Sequence, residues 1–192
     1  MPRVIDYAQV LERLKAAGLV SLYHNSGAFG FPDGTPTQSV GWILQEDSTI
    51  RPAARALARL ISPPTGKRVA ELAATFWAER LANQAVWVMP LSHWAYELEF
   101  GNVHWLPALL RRLQIGPAAL SGRNDGSAIE FNPAERAEFQ LMIDVMVTCM
   151  KQSDFMLVFP DGGTICTVHH HQQLWWTSTD GGIIDRLREL AE

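Results

Sequence analysis

Apolar and polar residues alternate along this chain with two distinct periods. Between residues 68 and 83, Val69, Leu72, Ala73, Phe76 and Trp77 recur at helical spacing and predict an amphipathic helix. A second stripe, Phe139, Met142, Ile143, Met146, Cys149 and Met150, predicts a longer helix that Asn132 caps, with Pro133 at its first position and Glu135 at its third. Asp6 caps a first helix, Gln9 returns the bond, Ile5 and Val10 occupy staple positions, and Gly18 ends the element. Pro52 suits the first turn of a helix reaching about Ile61, Pro107 opens one through about Leu113, and Asp180 leads into a C-terminal helix.

Period two marks the strands. Leu19 to Tyr23 and Val40 to Leu44 are short candidates, and "FMLVFP" and "TICTVHHHQQLWW" flank "DGG", a hairpin signal. In "SHWAYELEFG" Trp94, Tyr96, Leu98 and Phe100 alternate with His93, Ala95, Glu97 and Glu99, which favours a half-buried strand paired with the preceding "AVWVMP". With no repeat and no linker, residues 1–192 are expected to form a single α+β domain, an antiparallel β-sheet with helices packed against it.

Composition narrows the function classes. The 192 residues are 47% hydrophobic and 19% charged, with a net charge of −4, which fits a globule with a sizeable core and excludes a disordered chain. Neither nucleic acid nor a membrane surface is an expected partner. Arg51, Arg55 and Arg59 recur every fourth residue, but one short basic stripe on an acidic chain reads as a solubilising face. The N-terminus lacks a signal-peptide pattern, no segment is long enough to span a bilayer, and two cysteines make no disulfide framework, so a cytoplasmic location is expected.

Candidate chemistry concentrates in "TICTVHHHQQLWWTS". Read as one strand, it places Ile165, Thr167, His169, His171, Gln173 and Trp175 on one face and Cys166, Val168, His170, Leu174 and Trp176 on the other. The second face reads as core. Trp175 and Trp176 are adjacent and cannot both face it, so one is expected at the surface or in a pocket wall. Cys166 and His170 would stand about 13 Å apart along such a strand, too far for a thiolate and imidazole pair.

Two functions follow. In the leading one the chain is a binding protein that recognises a protein partner or small ligand through His169, His171, Gln173 and Trp175, with Trp175 as anchor. In the alternative it is a metal-dependent hydrolase: His169 and His171 ligate a divalent ion such as zinc, and His93, Glu97 or Glu99 completes the site or activates water. Whether the chain is an enzyme stays open at this level. No helical zinc-hydrolase motif, paired-cysteine ligand set or phosphate-loop lysine is present, and the loop His24 to Gly30 reads as turn chemistry.

Overall fold

The computed structural model describes residues 1–24, 26–122 and 125–192; Asn25, Arg123 and Asn124, in segments the sequence reads as loops, lie outside the described residues. Chain order runs β1 (Arg3–Ile5), α1 (Tyr7–Ala16), β2 (Val20–Ser21), β3 (Phe29–Gly30), β4 (Gln38–Ile43), α2 (Pro52–Arg55), β5 (Ala58–Leu60), α3 (Gly66–Arg80) and β6 (Val86–Pro90). A helical turn α4 (Trp94–Tyr96), α5 (Leu106–Arg112), β7 (Ala128–Phe131), α6 (Arg136–Cys149), β8 (Phe155–Phe159), β9 (Thr164–His169), β10 (Gln173–Ser178) and α7 (Gly181–Leu190) follow.

Eight strands form one sheet in the order β1-β7-β6-β8-β9-β10-β4-β5. Among the described residues every pairing in it is antiparallel except β4 with β5, so the sheet is mixed at one edge.

Alternation along the strands sorts the sheet into two faces. One face contributes Val40 and Trp42, Val88, Phe131, Leu157, Cys166 and Trp176 to the larger core, where α3, α6 and α7 cover it. Trp42, Phe76, Phe159 and Trp176 meet there edge-on or stacked, with ring centroids 5.2–6.3 Å apart. The other face sends Ile5, Trp87, Met89, Ala128, Met156, Val158 and Ile165 against Val10 and Leu14 of α1. That second cover stops at Ile165. Beyond it Thr167, His169 and Trp175 are only partly buried, and this uncovered end of the sheet carries the histidines.

Several expected elements form for the expected reasons. The Asp6 carboxylate accepts the Gln9 N–H at 3.0 Å, and Asn132 and Glu135 form the predicted capping box ahead of α6. All five residues of the first stripe are buried on α3. The hairpin at "DGG" pairs β8 with β9.

Two expectations are corrected. Residues 52–61 are not one helix: α2 ends after a single turn and Ala58–Leu60 joins the sheet beside β4. Arg51, Arg55 and Arg59 therefore form no helical stripe; Arg55 donates to the Ser48 and Ile50 carbonyls and Arg59 to those of Ala56 and Ala58. Residues 93–100 are helical, not a strand. His93 caps α4 by accepting the Tyr96 N–H, the Asp125 carboxylate takes the Ala95 N–H at 2.6 Å, and Glu97–Gly101 continues as a π-helical turn. The inward positions are Trp94, Glu97 and Leu98, a helical set, while Tyr96 and Phe100 point to solvent. The strand-like alternation was a coincidence of spacing. Among the described residues no helix is long and apolar enough to cross a membrane.

Candidate functional site at the β9–β10 hairpin tip

The histidine segment is a hairpin. His169 ends β9, residues 170–172 turn, and Gln173 opens β10 directly across from His169. Gln172 takes the left-handed backbone, φ 61°, that closes the turn, and its carbonyl accepts the Leu44 N–H from the end of β4. Because the loop has three residues, His169, Gln173 and Trp175 stay on one face, as a continuous strand would also have placed them. His170 and His171 move into the turn. All three imidazoles gather there, with ring centroids 4.3, 4.4 and 4.9 Å apart, and one nitrogen of each lies within 4.8 Å of the others.

Two aspartates orient these rings. Asp154, the residue before β8, accepts both the backbone N–H and the ring Nδ1 of His170 on Oδ1, at 3.0 and 2.8 Å, and its Oδ2 stands 3.7 Å from His169 Nε2. Asp47, in the turn after β4, accepts His171 Nδ1 at 2.8 Å and Gln173 Nε2 at 2.9 Å on Oδ2. Gln173 Oε1 in turn accepts Trp175 Nε1 at 2.8 Å. The result is a chain from indole to amide to carboxylate to imidazole. Carboxylates on Nδ1 of His170 and His171 fix the tautomer that leaves each Nε2 lone pair free. His169 differs: its Nδ1 accepts the His171 backbone N–H at 3.2 Å.

The electrostatics favour the neutral form of His169 and the ionised form of Asp47. Burial, opposed by the Asp154 carboxylate and seconded by the neighbouring imidazoles, holds His169 below the ordinary histidine range. The Thr49 hydroxyl and backbone N–H, at 2.6 and 2.8 Å, with a smaller contribution from His171, lower Asp47 from 3.8 to about 2. A carboxyl depressed in the folded state adds stability above its unfolded value of 3.8, and that contribution is lost as the pH falls through about 2. Replacing Thr49 by valine removes the first of these donors. Asp47 is then expected to titrate closer to 3.8 when followed by carboxyl-carbon NMR, and titration still near 2 would count against this assignment.

Trp175 lies across Gly41 of β4: a Cβ at that glycine would sit 2.4 Å from the indole ring. The close approach holds the ring flat against the sheet while part of it remains open to solvent. Trp176, one residue on, is fully buried, so the two rings divide as their opposite facing requires.

The structure thus brings together His169, His171, Gln173 and Trp175 and adds His170, Asp47 and Asp154. It does not bring His93, Glu97 or Glu99 into that group. His93 Nδ1 stands 3.5 Å from Asp125, Glu99 is exposed, and Glu97 is fully buried, accepting hydrogen bonds from Ser92, Asn102 and Ser153. Among the described residues the three histidines are the one group of three or more ligand-type side chains close enough to share an ion. Burial pushes the Cys166 thiol well above its ordinary range, which leaves it inert on the core face.

Neither aspartate was singled out in the sequence, although one carried a signal. The "DGG" hairpin register sets Phe155 opposite Val168, so Asp154 falls level with His169. Asp47 lies 124 residues from His171 and is announced only by the local Asp-x-Thr turn pattern.

No known family model, curated protein or solved structure matches this chain.

Proposed function

We propose that the chain is a metal-binding protein that captures a late transition-metal ion at the β9–β10 tip through His169, His170 and His171. The observation that carries this reading is the pairing of His170 Nδ1 with Asp154 and of His171 Nδ1 with Asp47, both at 2.8 Å, in a group whose ligand nitrogens lie within 4.8 Å. Carboxylate-backed imidazoles with free Nε2 atoms are the outer-sphere arrangement that orients zinc-type ligands. Tetrahedral zinc with bonds of about 2.1 Å needs nitrogens about 3.4 Å apart, a closure within reach of small side-chain rotations at a half-exposed turn. His169 joins by releasing the His171 N–H.

Gln173 and Trp175 act in this reading as supports, because the polar atoms of both are spent on the chain that ends at His171. Capture is better supported than hydrolysis. Asp47 and Asp154 are occupied as acceptors from imidazole, and Glu97 is enclosed by Ser92, Asn102 and Ser153, so none of these three carboxylates is free to activate a metal-bound water.

The test is calorimetric titration of protein carrying no histidine tag with Co²⁺, Ni²⁺, Cu²⁺ and Zn²⁺, each against Mg²⁺ as control. Binding is expected at one equivalent, rising from cobalt to copper, with no response to magnesium. Asp47→Asn and Asp154→Asn should each weaken zinc by about 10- to 100-fold. Failure of all four ions to bind overturns the reading.

A further inference from the structure

Resting on that metal reading, we infer that the bound ion takes a small organic oxyanion as its remaining ligand, clasped by Arg51 and backed by the Trp175 ring. Three neutral imidazoles leave a tetrahedral ion one open position and its full double charge, which the Asp47 and Asp154 carboxylates only offset from outside. An open groove of about 340 Å³ adjoins the cluster, lined by Ile50, Arg51, Ala54, Trp175 and the three histidines among others.

Arg51 is the unusual member of that lining. Its neighbours Arg55 and Arg59 donate to backbone carbonyls, whereas the Arg51 guanidinium has no hydrogen-bond or ion-pair partner among the described residues. An arginine with an unpartnered guanidinium in the groove that adjoins the histidines suits a carboxylate or a phosphonate, which can give one oxygen to the metal and others to the arginine. Beside Thr49 and Gln173, the lining has an apolar part made by Ile50, Ala54 and the exposed part of the indole held on Gly41. It accommodates a flat hydrocarbon body attached to the acid group, at little cost in side-chain ordering.

The experiment uses the full chain loaded with Co²⁺, whose visible absorption reports its coordination, titrated in parallel with acetate, phenylacetate and phenylphosphonate. A saturable spectral change is expected, tighter for the phenyl compounds than for acetate. Comparing phenylacetate with phenylphosphonate tells which acid group the site prefers. Arg51→Gln should weaken the anions about tenfold with cobalt bound no more weakly than by the parent, because Arg51 is not a ligand and its charge has the same sign as the ion's. Trp175→Leu should weaken phenylacetate by a larger factor than acetate, so that the preference for the phenyl compound shrinks. If cobalt binds and its spectrum ignores all three anions, or if Arg51→Gln binds them as the parent does, this inference fails and the metal reading survives. If cobalt does not bind, both fail.

Discussion

A variant carrying both His170→Ala and His171→Ala is expected to lose zinc affinity by at least about 100-fold, more than the 10- to 100-fold attached to a single outer-sphere partner. Its fold should survive. Both residues lie in the turn, outside the paired strands, and neither contributes to either core. Each gives up one partly exposed hydrogen bond to an aspartate, worth about 1 kcal/mol or less. For a chain of this size the two together correspond to a fall in melting temperature of no more than about 8 °C. Calorimetric zinc titration alongside a circular-dichroism melt separates the two effects. A variant that binds zinc as the parent does would remove the three-histidine site.

The largest stability effect should come from a residue remote from the tip in sequence. Glu97 is fully buried in the π-helical turn, and its carboxyl accepts from the Ser92 hydroxyl, the Asn102 amide and, at 2.7 Å, the Ser153 hydroxyl. Asn102 also donates to Ser153 at 2.6 Å, and its own oxygen takes the Trp105 indole N–H at 3.0 Å. The cluster ties the segment that follows β6 to Ser153, two residues before β8, the strand paired with β6. Glu97→Ala leaves these donors buried without their acceptor and is expected to cost about 3–5 kcal/mol, read from urea unfolding. Glu97→Gln keeps one acceptor oxygen and nearly the same volume, so about 1–2 kcal/mol is expected. An alanine variant losing less than about 1 kcal/mol would show that the cluster does not hold the fold. Since Ser153 immediately precedes Asp154, the alanine variant should also loosen the acceptor of His170 and weaken zinc.

How far the sequence foretold this arrangement depended on whether the deciding contact was local. Caps and stripes are local: Asp6 with Gln9, Asn132 with Glu135, and the buried face of α3 all followed from spacing. The facing of Trp175 and Trp176 followed from strand parity. The turn inside the histidine segment did not, because the left-handed residue is Gln172, with no glycine or asparagine to announce it. Residues 93–100 misled because Trp94 and Leu98 satisfy both a period of two and a helical turn; Asp125, from another part of the chain, provides the bond that helps fix the helix start. Residues 52–61 offered Pro52 as a helix opener, and pairing of Ala58–Leu60 along β4 overrode it. Likewise the histidines were visible as a group, but the aspartates that orient them arrive through tertiary pairing.

The three-residue turn also bears on how this protein can change over evolutionary time. β10 lies between β9 and β4, and the same pairing that presents His169 and Trp175 outward sends Leu174 and Trp176 into the larger core. Adding or deleting one residue at 170–172 would shift β10 by one position and exchange its two faces, expelling Trp176 from beneath α3. The number of residues at the tip is therefore fixed by the core, while their identities answer only to what the tip binds. Descendants are free to exchange its histidines for other side chains and so acquire new ligands, provided the loop keeps its length.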